Sequence, residues 1–281
     1  MRRRLAVTRN LLKAWLLLAL PALGLGAAGW ALGGYRLGVL FLGSVVLLGA
    51  ALYWYADRIG MGMIGARELL PAEAPALHSS VERLAALAGV ARPKLYLLPD
   101  GYPRAAASGR GAQGGAGIAV SSGLLAVATP AELEGIVAHE LGHLRYRDVL
   151  VQTVVATVAA FVVESSRIGG FLQRALLFVL GPLAASLVHL LLSPKREFEA
   201  DRFAAEVCGS PHGIADGLLR LEAASGLVSF AASPATEPLY TTNPFAEEGL
   251  AALFNSHPPV GERVRRLREL DPEWREKLQA A

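Results

Sequence analysis

The chain of 281 residues is 53% hydrophobic and only 18% charged, with a mean hydropathy of +0.40, which is too apolar for an ordinary soluble enzyme. Its net charge of +3 comes from Arg and Lys flanking apolar blocks, and no RNA- or DNA-reading motif accompanies it, so nucleic acid is not an expected partner. The single cysteine, Cys208, excludes an internal disulfide and any cysteine-rich zinc site.

The chain opens on Met1-Arg2-Arg3-Arg4, followed by Arg9 and Lys13, and then runs through two uncharged apolar stretches, Ala14 to Gly34 and Leu37 to Ala56. At about 1.5 Å per residue, each can cross a hydrocarbon core of about 30 Å. The basic start and the small residues near Gly26 to Ala28 also resemble a signal peptide; the length of the first stretch and the second stretch directly behind it favour an uncleaved anchor. Basic residues precede the first stretch and follow the second (Arg58, Arg67), and the connection Gly33 to Arg36 is very short. The positive-inside bias therefore expects both ends, and the segment Asp57 to Asp148, in the cytoplasm.

Gly60-Met61-Gly62-Met63-Ile64-Gly65 matches GxGxxG formally, but it leaves an apolar helix and not a strand, so it reads as a membrane-exit segment. Pro75 to Gly89 has Leu77, Val81, Leu84, Ala85 and Ala88 at helical spacing, with Gly89 as its stop. Short strands are expected at Lys94 to Leu98, bounded by Pro93 and Pro99, and at Gly117 to Ser121, after the Gly-rich loop Gly109 to Gly117. Thr129-Pro130-Ala131-Glu132 then opens a helix with an N-cap, a first-position proline and an early carboxylate.

That helix carries His139-Glu140-Leu141-Gly142-His143 within the apolar run Ile136 to Leu144. Four residues is close to one helical turn, so His139 and His143 leave the same face and can share one zinc ion, with Glu140 beside them as base for a bound water. Two more apolar segments follow, Val149 to Val163 and Ala175 to Leu192, the second broken by Gly181-Pro182. The first can reach spanning length by continuing the motif helix, since no breaker lies between His143 and Val163. His189, inside the second, reads as a bundle-facing polar residue because no other donor lies one turn away.

A catalytic zinc takes three protein ligands, and the third is expected at Glu197, on a helix from Lys195 to Val207. Asp201, one turn on, would accept the free ring N–H of a ligand histidine; Glu199, the rival ligand, projects from another face. If Val149 to Leu192 is a membrane hairpin, it returns Glu197 to the side that His143 left. A helix from Gly213 to Ala224, a loop from Ser225 to Asn243 over the cleft, and a solvated helix from Pro259 to Gln279 complete the chain. His78 and His212 have no partner in the pattern and receive no function.

From about Trp54 to Leu270 the chain resembles the HtpX family of membrane-bound zinc metalloproteases, relatives of the CAAX prenyl endopeptidases. The resemblance is carried by EAPALHSSVERLAALAGVARPKLYLLP, GIAVSSGLL, IVAHELGHLRYRDV, REFEADRFAA and LFNSHPPVGERVRRL. It implies Zn2+, one per chain, on His139, His143 and Glu197, with Glu140 as base. It also implies a multi-pass protein of the inner cell membrane that cuts misfolded or regulated membrane proteins on the cytoplasmic side, in quality control or stress response. Where that family has Asn-Ala-Phe-Ala, this chain has Arg104-Ala105-Ala106-Ala107, which touches substrate preference and no metal ligand.

Beyond the ion, the developing oxyanion needs a donor. His257, in Asn255-Ser256-His257-Pro258-Pro259, is the first candidate, with Tyr240 and Arg263 behind it. The strand Gly117-Ile118-Ala119-Val120 is expected to pair with an extended substrate, with Asn255 as a further substrate contact. The fold class that follows is a mainly α membrane protein: an α+β zincin-like metallopeptidase domain with a small sheet, joined to about four membrane helices. Its expected divisions are 1–58 (membrane hairpin), 59–148 (first catalytic part), 149–193 (apolar hairpin) and 194–281 (second catalytic part). The expected partners are the lipid bilayer and membrane-protein or unfolded polypeptide substrates. The alternatives are a CAAX-type or signalling membrane metalloprotease and a non-catalytic zinc-binding scaffold. An intramembrane site is disfavoured by the polar flanks Glu132, Glu134, Arg145, Arg147 and Asp148.

Overall fold

The structure, a computed structural model, describes residues 2–165, 192–225, 234–242, 257–271 and 273. The first element, α1 (Arg2–Trp54), contains two non-helical residues, Gly33 and Gly34, the latter at φ 70°. The chain doubles back there. Trp15 stacks on Tyr53 with ring centroids 6.2 Å apart, and a Cβ on Gly26 would lie 3.3 Å from that of Leu42. The element is therefore two antiparallel arms, and apolar side chains on them, among them Trp30, Leu32, Leu47 and Leu48, are exposed. Within α1 the stretch Ala22–Trp54 is long and apolar enough for a bilayer by length and composition.

A short helix α2 (Ala56–Met63) leads into a mixed four-stranded sheet of β1 (Arg67–Glu68), β2 (Lys94–Leu98), β3 (Ala105–Gly109) and β4 (Ala116–Ser121), in the order β1-β2-β4-β3. β2 and β4 run parallel, joined by a connection that includes β3, while β3 and β4 form an antiparallel hairpin around the glycine loop. The sequence pattern anticipates β2 and β4 and passes over β3, whose Ala-Ala-Ala-Ser-Gly has little β-propensity of its own.

α3 (Pro75–Ala88) ends at Gly89, which takes the left-handed backbone that lets its N–H cap the last turn. After the short α4 (Ser122–Val127), α5 (Pro130–Tyr146) begins with a full capping box: Thr129 accepts from the Glu132 N–H, and the Glu132 carboxylate accepts from the Thr129 N–H. Leu84, Ile118, Leu124, Ile136, Leu141 and Leu144 fill the core between α3, the sheet and α5. Each such side chain contributes about 1.5–3 kcal/mol when fully buried.

α5 does not continue into the next helix, contrary to the expectation from sequence. Arg147 sits at φ 59°, ψ 23°, the left-handed region that no residue type in this stretch advertises, and it separates α5 from α6 (Asp148–Ser165). The apolar α6 packs through Leu150, Val151, Val154 and Val155 against Leu52, Tyr53 and Ala56 at the base of the hairpin. The third apolar segment, Val149 to Val163, falls wholly within α6, whereas nearly all of the fourth, with His189, lies outside the described residues.

The chain returns as α7 (Lys195–Cys208) and α8 (His212–Ser225), both packed on α5. Two glycines permit the close approach. A Cβ on Gly142 would lie 3.2 Å from the Ala200 Cα, and one on Gly135 would lie 2.4 Å from the Ile214 nitrogen. A 3-10 turn (Pro234–Leu239) with a β-bridge at Tyr240 gives structure to the segment expected as loop, and α9 (Val260–Arg268) closes the described fold. α9 is amphipathic and not simply solvated, because Arg263 and Leu267 are buried.

Candidate metal centre

One face of α5 presents His139 and His143, and the first turn of α7 presents Glu197; all three are buried. The two Nε2 atoms are 3.1 Å apart, His139 Nε2 is 3.5 Å from Glu197 Oε2, and His143 Nε2 is 3.5 Å from Glu197 Oε1. A tetrahedral zinc with bonds of about 2.0–2.2 Å needs donor atoms about 3.3–3.5 Å apart. The separations match a shared ion better than hydrogen bonds, since 3.5 Å is too long for N–H···O. Glu199 instead lies part-exposed beside Lys195, away from the imidazoles.

The remaining ring nitrogens are held by carboxylates. His143 Nδ1 lies 2.9 Å from Asp148 Oδ2, and His139 Nδ1 lies 2.9 Å from Asp201 Oδ1. Each carboxylate favours a proton on Nδ1, which turns the Nε2 lone pairs toward one another. Two lone pairs at 3.1 Å repel unless a cation or proton lies between them. Neither oxygen of the buried Glu197 carboxylate has a hydrogen bond, as expected of a carboxylate placed to ligate a cation. The donor set therefore fits zinc: two neutral imidazoles and a carboxylate, with both rings fixed from behind.

The electrostatics are strong. Burial opposes charge on Glu197, but His257, Arg196 and His143 hold its carboxyl well below the usual range. Burial likewise presses His143 toward neutrality, and Asp148 and Glu197 outweigh it, raising the imidazole to about 10 in the absence of metal. Asp201 is lowered against its burial by Arg263, whose Nε and Nη2 donate to both carboxylate oxygens at 2.8 and 2.7 Å.

Glu140 is 2% exposed, and its Oε1 accepts from the Thr241 hydroxyl at 2.5 Å. His257 comes to the same place: its Nε2 is 3.6 Å from Glu197 Oε2. The two other oxyanion candidates already have partners, although Arg263 Nη1 also lies 3.6 Å from Glu197 Oε2. The Tyr240 hydroxyl accepts from Arg104 Nη1 at 3.1 Å, and Arg263 Nη1 donates to the Thr241 carbonyl at 2.7 Å. Asn255 lies outside the described residues.

One expectation is overturned. Gly117, Ile118, Ala119 and Val120 cannot receive a substrate strand, because β4 is interior: Gly117 pairs with Lys94 on one side and Ser108 on the other, and Val120 with Leu97 and Ala105. The outer strand beside the site is β3. Residues that the sequence did not single out also enter the site. Asp148 arrives through the corner at Arg147, and Thr241 through a contact 101 positions from its partner, neither of which a spacing rule can reveal.

A mainly helical chain with a small mixed sheet over an HExxH helix, and a buried His-His-Glu group beneath it, is the build of a metallopeptidase. Comparison with known proteins supplies the family. The model of peptidase family M48 matches residues 71–271. A protease HtpX homolog of Pelotomaculum thermopropionicum is 36% identical over 278 residues, covering 92% of this chain and 98% of that protein. Another from Salinibacter ruber is 39% identical over 240 residues, covering 82% and 86%, and one from Persephonella marina is 37% identical over 238 residues, covering 78% and 82%. The chain belongs to peptidase family M48, and with its apolar hairpin it is a membrane metalloprotease. Ste24p of S. mikatae superposes with a TM-score of 0.48 at 16% identity, over 95% of this chain and 66% of that one, a likeness too low to place any residue.

Proposed function

We propose that the chain is a zinc endopeptidase in which His139, His143 and Glu197 hold the ion, Glu140 is the general base, and Asp148 and Asp201 orient the ligand imidazoles. The observation that carries this reading is the set of mutual distances of 3.1, 3.5 and 3.5 Å among three buried donors whose other nitrogens are already engaged. Zinc, when bound, supplies Lewis acidity that brings water and a peptide carbonyl into reactive range. Glu140, adjacent to the site and buried, takes a proton from that water and returns it to the departing amine. His257, close to Glu197, is suited to donate to the developing oxyanion.

The substrates are membrane proteins or unfolded polypeptides, cut on the cytoplasmic side in quality control. Support comes from the basic residues at both ends of the α1 hairpin, which favour placing them in the cytoplasm, and from the exposed apolar arms that suit a bilayer. On this reading residues 1–58 anchor the protein, 59–148 and 194–281 form the catalytic unit, and 149–193 form a second apolar hairpin. The test is zinc content and casein cleavage of the detergent-solubilised protein beside Glu140→Gln. The variant should retain one zinc and lose cleavage by at least about a hundredfold; preserved proteolysis would remove Glu140 from the mechanism.

A further inference from the structure

β3 has one partnered edge and one outer edge. Its inner edge is taken from end to end by β4, Ala105 pairing with Val120 and Gly109 with Ala116. At the outer edge, Ala106 forms an antiparallel bridge with Tyr240, and the Thr241 N–H donates to the Ala105 carbonyl at 3.1 Å. The chain thus lays two of its own residues along the strand edge that runs past Glu140.

The same two residues are tied at other points. The Thr241 hydroxyl donates to Glu140, and its carbonyl accepts from Arg263, which is itself paired to Asp201. Tyr240 packs with Leu239, Ala106 and Met61, while Arg104 donates to its hydroxyl and lies 5.2 Å from its ring centroid. Arg104 is in turn salt-bridged to Asp100. The result is a sealed site: Glu140 is 2% exposed, Thr241 1% and Ala106 0%. While the Thr241 hydroxyl donates to Glu140 Oε1, that oxygen is engaged and not open to a water or a substrate.

We infer that Tyr240-Thr241 is a built-in strap that occupies the place of an extended polypeptide on the β3 edge, and that substrate enters by displacing it. The inference rests on the peptidase reading of the site and adds its regulation. An extended segment can reproduce what the strap supplies, main-chain hydrogen bonds to Ala105 and neighbouring residues, so exchange of one strand for another costs little hydrogen bonding. A folded or compact chain cannot, which selects for unfolded segments. Arg104 acts as the latch, because it holds Tyr240 from outside the metal centre.

The test uses the full-length, zinc-loaded protein in detergent with casein as the polypeptide. Directly opposed antiparallel residues have Cα atoms about 4.5–5.5 Å apart, within reach of a disulfide. The variant Ala106→Cys/Tyr240→Cys, made with Cys208→Ala, should therefore cross-link the strap to the strand. Oxidised, it should lose casein cleavage; reduced, the same protein should regain it, with zinc content equal in both forms. Tyr240→Phe, which removes the hydrogen bond from Arg104 and leaves the guanidinium against the ring, should raise kcat/KM for casein about fivefold, the share of one hydrogen bond. In Glu140→Gln protein, casein should speed hydrogen exchange at the Thr241 amide. If wild-type protein cleaves casein in a chelator-sensitive way but the oxidised pair cleaves as fast as the reduced one, the strap is refuted and the peptidase reading stands. A fall in kcat/KM for Tyr240→Phe refutes it equally, assigning the hydroxyl to substrate or oxyanion binding. Wild-type protein inert toward casein with zinc bound would overturn both readings.

Discussion

His143 keeps its ring orientation through Asp148, and Asp148 reaches it only because Arg147 adopts left-handed backbone. In an unbroken helix a residue five positions on points about 140° away from His143. The corner at Arg147 turns it back, at a cost of about 1 kcal/mol for a side chain in that region. Asp148→Asn should therefore leave the fold intact and weaken zinc binding by about 10- to 100-fold, as measured by competition with a chelator; an unchanged affinity would leave Asp148 a structural residue only. The corner itself should accept glycine: Arg147→Gly removes the penalty and should leave the thermal midpoint unchanged or raised. These details separate what spacing reveals from what it conceals. His139, His143, Glu197 and Asp201 stand one turn apart on two helices, so the sequence alone brings each pair to one face. Asp148 depends on a backbone angle that Arg-Asp does not announce, and Thr241 on a long-range contact, so both emerge only in three dimensions.

Helix packing explains how Glu197 comes to the imidazoles at all. α5 contacts α7 through Gly142, where a Cβ would be tight against Ala200 and Phe203, and α8 through Gly135, where any side chain would collide with the facing backbone. Gly135→Ala would set a Cβ 2.4 Å from the Ile214 nitrogen and 2.7 Å from the Gly213 carbon, and backbone cannot yield as a flexible side chain does. The expected loss is about 1–3 kcal/mol, read as a lower unfolding midpoint together with reduced zinc content, because α8 and α7 shift together. A full zinc complement at an unchanged midpoint would show that the helices can separate freely. The helices were legible because period and caps agree: Thr129-Pro130-Ala131-Glu132 and Gly89 mark ends that the structure places at the same positions. The sheet was only half legible. β2 and β4 carry branched and aromatic residues, whereas β3 is held by its neighbours and has no pattern of its own, so the outer strand went unseen and the interior one was taken for the docking edge. Arg104 and Ala106, the positions at which the resemblance led to the expectation of Asn and Phe, both touch Tyr240.

Across the molecule, the buried charges at the site do not balance without an ion. At the site, Glu140, Asp148, Glu197 and Asp201 are buried carboxylates, and Arg196 and Arg263 are the guanidiniums buried beside them. Two negative charges remain, which one divalent cation cancels. When the cation is removed, Asp148 and Glu197 draw a proton onto His143 against its burial and raise its pKa to about 10. The sign follows from linkage. A histidine raised above its unfolded value of about 6.5 contributes stability that is complete below that pH and is lost as pH rises through about 10. The chelated protein should therefore lose thermal stability progressively between those limits, while the zinc-loaded protein holds its midpoint over the same range. Zinc at a hundred times its dissociation constant should add about 2.7 kcal/mol at neutral pH. Because the ion displaces the His143 proton, binding at pH 7 should release a proton, seen as a calorimetric heat that changes with the ionisation enthalpy of the buffer. Identical pH profiles for chelated and loaded protein, with a buffer-independent heat, would mean that the two imidazoles and Glu197 are balanced by something other than a metal.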